Sequence, residues 1–249
     1  YLIEITADIL SFKDTDGEPL VDKILDAAGQ KGTGKWTGIN SLDMGVPLTL
    51  ITESVYARCL SALKDERVTA AEIFPRGTAP EVENKQATLQ AIHDALYASK
   101  IISYTQGYML MKEAAKEYGW DLNYGGIALM WRGGCIIRST FLAEIKRAYD
   151  EKPELQNLLQ DSFFEGAIKT SEVNWRKAII FGIEQRIPTP ALSSALAFFD
   201  GYRSAVCSAN MLQAQRDYFG AHTYERIDAP RGERFHTDWI QSGGNISSS

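Results

Sequence analysis

Apolar residues recur at helical spacing along almost the whole chain, while alternating runs of the kind that build strands are nearly absent. Leu2, Ile5, Ile9 and Phe12 share one face of an opening helix. That helix has no capping residue before it and is expected to continue a longer element upstream of Tyr1. Lys13 to Glu18 carries Asp14, Asp16 and Gly17, the residue types of a turn. Leu20 to Ala28 reads as a second helix, with Gly29 where a left-handed C-terminal cap would fall. Pro47 stands at a first helical position, and the helix after it sets Leu50, Ser54, Ala57 and Ser61 along a mostly small-residue stripe before a charged end at Lys64 to Arg67.

Pro75 to Asn84 holds two prolines and a glycine with few apolar anchors, and is expected to be an exposed loop. Beyond it, Gln86 to Tyr118 predicts a single helix of about 33 residues, about 50 Å long. It is apolar over much of its circumference, which places it at the centre of a domain. From Asn123 to Ile145 the glycines at 125, 126, 133 and 134 punctuate large apolar residues and suggest closely approaching backbones. Further helices are expected over Glu154 to Ile187 and, past Pro188 and Pro190, over Ala191 to Tyr218. The fold class is therefore all-α: a large helical domain over residues 1–242, followed by a glycine- and serine-rich tail over 243–249, flexible or wrapped on a partner. Trp36 before Pro47 and Trp175 before Pro188, each followed by a long helix, hint at an internal duplication.

A composition of 45% hydrophobic and 23% charged residues is that of a globular chain, not a disordered one. The net charge of −6 argues against a broad electropositive surface for nucleic acid, yet leaves room for a local cationic cluster that holds a small anion. Cys59, Cys135 and Cys207 have no metal-ligand spacing and read as thiols in a reducing compartment. No apolar run approaches the length of a bilayer span, so no membrane association is expected and the cytoplasm is the expected location.

The chemistry concentrates in Gly29-Gln30-Lys31-Gly32-Thr33-Gly34-Lys35-Trp36. Glycines let a backbone approach an anion closely, lysines supply charge and threonine a directional hydrogen bond. Gly29, Gly34 and Lys35 match the spacing of a nucleotide-binding P-loop. Trp36, however, stands where a magnesium-holding Ser or Thr is needed, and no strand precedes the loop. A solvated turn between two helices is the bland alternative.

The run from Asp26 to Trp36 resembles a stretch characteristic of 6-phosphogluconate dehydrogenases. So do Leu96 to Tyr104, Asn123-Tyr124-Gly125, Gly134 to Arg138, and Gln213 to Thr223, in the same order. The resemblance implies a dimeric, all-helical domain with a duplicated core, following an NADP-binding domain in an enzyme that converts 6-phosphogluconate to ribulose 5-phosphate in the pentose phosphate pathway. It further implies five substrate contacts: Lys31 and Thr33 in the glycine loop, Arg58, and Arg216 with His222, the last two reaching into the partner subunit's site. The catalytic lysine and glutamate of the family are expected upstream of Tyr1, so this chain is expected to be inactive alone. No Gly-x-Gly-x-x-Gly fingerprint follows a strand here. No metal ligand is expected, and His93 and His236 read as ordinary surface residues. The resemblance further suggests that the near-terminal segment around His236 lies against the partner chain, with Phe235 and Trp239 as candidate anchors there. A non-catalytic phosphosugar-binding module, a helical dimerisation scaffold and a related β-hydroxyacid dehydrogenase are the alternatives.

Overall fold

A computed structural model describes residues 1–240; the tail expected over 243–249 lies outside the described residues. The order is α1 (Leu2–Ser11), a 3-10 turn (Leu20–Lys23), α2 (Thr33–Asp43), α3 (Thr49–Ala62), α4 (Lys64–Ile73), α5 (Lys85–Tyr118), α6 (Tyr124–Met130), α7 (Leu142–Glu151), a second 3-10 turn (Leu158–Gln160), α8 (Ser162–Glu184), α9 (Pro190–Tyr202) and α10 (Ala209–Gly220). Among the described residues there is no sheet, only two isolated antiparallel bridges, Lys13 to Pro19 and Tyr224 to Phe235.

Helix α5 begins where the Asn84 side chain accepts from the Ala87 N–H at 3.0 Å, and ends at Gly119 in the left-handed conformation (φ 67°). Between these caps its buried positions are largely small, Ala91, Ala95, Ala98 and Ser99, then larger at Ile101, Ile102 and Tyr108. Small residues let α8 approach, and α8 answers with Phe164, Ile168 and Trp175, all essentially inaccessible. Burying side chains of this size contributes about 2–3 kcal/mol each, so this pair forms the spine of the core. Asp161 caps α8 by accepting from the Phe163 N–H at 3.0 Å, and the same carboxylate accepts from Arg147 of α7 at 2.7 Å. One residue thus fixes both the start of α8 and its docking on α7.

The expected long helix is present, and the loop over 75–84 is irregular and exposed as the prolines indicate. The predicted close approach is found at Gly125, where a Cβ would sit 3.1 Å from Asp150 Oδ1, whereas Gly133 and Gly134 lie in the turn between α6 and α7.

Two expectations change. Leu20 to Ala28 is not a helix beyond its first turn: the backbone is extended at Ile24 (ψ 131°), because the following residues find hydrogen-bond partners on distant side chains. Lys64 to Arg67 is not the end of the preceding helix but the start of α4, after a break at Leu63. The helical pattern expected over Ala191 to Tyr218 is carried by two helices, α9 and α10. Trp36 is 67% exposed while Trp175 is fully buried, so this pair lends a duplication no support as equivalent packing positions.

The chain divides into two compact units, Tyr1–Phe199 and the residues from Asp200 onward. The α5–α8 core belongs to the first. The second contains α10 and the segment that returns along it.

Candidate functional site

In the first unit the site is built on an arm, residues 24–32, that has no regular structure of its own. Its backbone polar groups are instead satisfied by the end of α3 and the start of α4. Ser61 Oγ accepts from the Ala28 N–H at 2.9 Å, Arg67 Nη2 donates to the Asp26 carbonyl at 2.8 Å, and Arg58 Nε donates to the Gly29 carbonyl at 2.8 Å, assisted by its Nη2. Lys64 and Arg67 grip the Asp26 carboxylate at 2.5 and 3.1 Å, which holds its pKa at about 2. The arm is therefore clamped at three successive places before the glycine loop begins.

Past Gly29 the chain needs Gly32 at φ 109°, a conformation side-chain-bearing residues rarely adopt, and then enters α2 at Thr33. The first helical hydrogen bond runs from the Trp36 N–H to the Gly32 carbonyl at 2.8 Å. No side chain caps α2, so the N–H groups at its start face outward with the positive end of the helix dipole. Lys31 and Lys35 stand on either side of that start and, like Thr33, are exposed. Among the described residues neither lysine has a carboxylate partner. Helix α2 is held on α3 by close approach: a Cβ on Gly34 would lie 2.7 Å from Val55 Cγ2, and one on Gly38 would lie 3.3 Å from Thr52.

The structure thus brings Lys31, Thr33 and Arg58 into one neighbourhood. It also gives Arg58 a task the sequence did not reveal, since two of its five N–H donors are spent on the Gly29 carbonyl. The rest of the guanidinium edge remains for an anion. Loop amides at a helix start, an ammonium, a hydroxyl and a guanidinium together suit a phosphate or carboxylate.

Arg216 and His222 belong to the second unit. Arg216 is exposed in the last two turns of α10, with no carboxylate partner among the described residues. His222 follows the cap residue Ala221, itself left-handed at φ 50°, and its ring folds over Gly220 and meets Phe219 edge-on at 5.7 Å. His236 is exposed, as expected of a surface residue, and its Nδ1 lies 2.9 Å from the buried carboxylate of Asp217. Trp239 Nε1 donates to the same carboxylate, within the chain, at 2.8 Å. Phe235 pairs its backbone with Tyr224.

Sequence reasoning missed the clamp of Ser61, Lys64 and Arg67 on the arm and the hub at Asp217. The four-residue spacing of Gly34 and Gly38 was a legible sign of close helix approach. The others had no local signal, because each partner lies 19 or more residues away. Leu96, Lys100 and Tyr104 face Ile136, Ile137 and Arg138 across an apolar cavity of about 440 Å³, with Tyr104 Oη donating to the Ile137 carbonyl. Burial lowers the pKa of Lys100 there. None of the five expected contacts lines this cavity. Among the described residues no group of His, Cys, Asp and Glu could hold a metal ion, and no helix is long and apolar enough to cross a membrane.

A family model described as 6-phosphogluconate dehydrogenase, C-terminal domain, matches residues 1–239. The chain is 59% identical over 248 residues to a decarboxylating 6-phosphogluconate dehydrogenase of Haemophilus influenzae, and 58% identical over 250 residues to that of Rattus norvegicus. All of the chain is covered in both cases, against 51% and 52% of the relatives, so it spans about half their length. A Plasmodium falciparum 6-phosphogluconate dehydrogenase, solved in its apo form and in complexes with NADP+ and with 6-phosphogluconate, superposes with a TM-score of 0.91 at 42% identity, covering 96% of this chain and 51% of that one.

Proposed function

Because the chain belongs to the 6-phosphogluconate dehydrogenase family, of which it spans the C-terminal domain, we propose that it is the substrate-binding and dimer-forming part of an NADP-dependent enzyme that oxidatively decarboxylates 6-phosphogluconate to ribulose 5-phosphate. The observation that carries this reading is the clamped glycine loop: Arg58 holds the Gly29 carbonyl, and Lys31 and Thr33 follow at the uncapped start of α2. A dianionic phosphate is well matched by that set, since charge-assisted hydrogen bonds are the strong ones and a guanidinium fork fits two phosphate oxygens.

Arg216 and His222 complete the phosphate end in the partner subunit's site, so that each site draws on two copies of residues 1–242 acting as one domain. The family's catalytic lysine and glutamate, and the coenzyme site, are assigned to the half of the relatives' length that this chain does not cover. The work of the described residues is binding and orientation: they fix the charged end of the substrate, so that the sugar carbons reach the reacting groups in one register. The cytoplasm is the location this reading implies.

Calorimetric titration of the purified chain with 6-phosphogluconate, with gluconate as control, tests the reading. Heat that requires the phosphate and is lost in both Lys31→Ala and Arg216→Ala is the expected result. No heat from a folded dimer, or equal heat with gluconate, overturns the assignment of these residues to the phosphate.

A further inference from the structure

Asp217 is wholly inaccessible, yet its carboxylate is not paired with a cation of fixed charge. It gathers three donors from a segment 19 to 22 residues later: His236 Nδ1 at 2.9 Å, the Thr237 N–H at 3.0 Å and Trp239 Nε1 at 2.8 Å. A carboxylate only accepts, so the first of these places the imidazole proton on Nδ1. The three hydrogen bonds outweigh the cost of burial and lower the Asp217 pKa. Leaving such a charge buried without its donors costs far more than a neutral hydrogen bond, so the segment is held in one place.

The clamp reaches Arg216 and His222 by a short path. Arg216 is the residue before Asp217, on the same turn of α10. The Asp217 carbonyl accepts from the N–H of the cap residue Ala221 at 2.9 Å, which closes the helix in the turn that carries His222. Beyond His222, Tyr224 and Phe235 exchange both backbone hydrogen bonds at 3.0 and 2.9 Å, and Tyr224 Oη meets Thr237 Oγ1 at 2.5 Å. Thr237 is itself tied to Asp217. His222 is therefore strung between two points, the Ala221 cap and the Tyr224 bridge, and both lead back to Asp217.

We propose that Asp217 is a positioning residue for the anion-binding pair Arg216 and His222, holding the return segment against α10 so that guanidinium and imidazole keep a fixed separation. The inference rests on the reading that these two residues bind the substrate's phosphate. In the full-length protein, Asp217→Asn keeps the side chain's size but replaces one acceptor oxygen by a donor, and Trp239→Phe removes a single donor with little loss of volume. Expected in each is a rise in KM for 6-phosphogluconate, about tenfold for Asp217→Asn and less for Trp239→Phe, with KM for the coenzyme unmoved. Discrimination between 6-phosphogluconate and gluconate should fall in step, which a merely structural role would not produce.

Arg216→Ala separates the two levels. If it leaves that discrimination intact, the phosphate reading itself is wrong. If it abolishes discrimination while both Asp217→Asn and Trp239→Phe leave it unchanged, or lower every parameter alike together with the melting temperature, the positioning role of Asp217 is overturned. Should Asp217→Asn fail to fold, the milder Trp239→Phe decides on the same readouts.

Discussion

Arg58 Nε donates to the carbonyl of Gly29 at 2.8 Å, so the guanidinium proposed to meet the substrate also holds the loop that meets it. A lysine at this position keeps the charge but cannot present the two adjacent donors that grip one carbonyl while the remaining edge faces an anion. Arg58→Lys is expected to weaken 6-phosphogluconate binding about tenfold or more. The melting temperature should change by only a few degrees, because the side chain is exposed. Calorimetry with parallel thermal unfolding checks this; full affinity in the variant would show that charge alone is enough at Arg58.

Gly34 sits in α2 with Val55 so close that a Cβ would lie 2.7 Å from Val55 Cγ2. Alanine favours the helix by up to about 1 kcal/mol over glycine, but the overlap is with a stiff β-branched side chain, and over-packing costs about 1–3 kcal/mol. Destabilisation is expected to win in Gly34→Ala. Denaturant unfolding of Gly34→Ala, Val55→Ala and the double variant provides the check, and the double variant should recover much of the loss if the overlap is its cause.

What the sequence made legible follows the range of the interactions. Helix α5 was readable because the signals that make it are local: Asn84, the periodic apolar residues and Gly119 each act on positions a few residues away. The glycine loop was readable because its chemistry is contiguous. Leu20 to Ala28 was misread because its apolar spacing suits a helix, while what decides its shape is hydrogen bonding to Ser61 and Arg67, more than 30 residues away. The meeting of Asp217 with His236 and Trp239 has the same character. An aspartate after an arginine in a helix looks like a solvated charge until the returning chain is in view.

Gln106 is fully buried in the middle of α5, where its Oε1 accepts from the Leu50 N–H at 3.0 Å and its Nε2 donates to Thr49 Oγ1 at 2.9 Å. It thereby satisfies the otherwise unpaired start of α3, the helix that carries Arg58. Gln106→Leu strands a buried N–H and should destabilise by about 1–3 kcal/mol, lowering the melting temperature by about 2–4 °C for each kcal/mol in a chain of this size. A variant as stable as the parent would mean that the α3 start finds another partner.

Asp26 connects the arm to α4 through Lys64 and Arg67, and its folded-state pKa of about 2 lies below the ordinary aspartate value of about 3.9. The sign follows from linkage. A depressed carboxylate contributes stability that is complete above the unfolded pKa and is lost as pH falls through the folded one. The stability difference between the parent and Asp26→Asn should therefore be constant above about pH 5 and shrink between about pH 4 and pH 2. Urea unfolding at a series of acidic pH values reads it, and a pH-independent difference would show that the ion pairs are not its source.

Gly220 occupies the last position of α10, and a Cβ there would meet the ring of His222 at 2.9 Å from Nε2 and 3.0 Å from Cδ2. The obstacle is the end of a movable side chain, so the cost of Gly220→Ala falls on the position of the imidazole and not on the fold. Alanine also stiffens the helix end and can raise stability by a few tenths of a kcal/mol to about 1 kcal/mol. Stability and binding should consequently part company: the melting temperature is held or raised while affinity for 6-phosphogluconate falls, by an amount close to that of His222→Ala. If the two changes act through the same imidazole, adding Gly220→Ala to His222→Ala should cost no further affinity. An additive double variant would instead mean that Gly220 serves the site through the helix end itself.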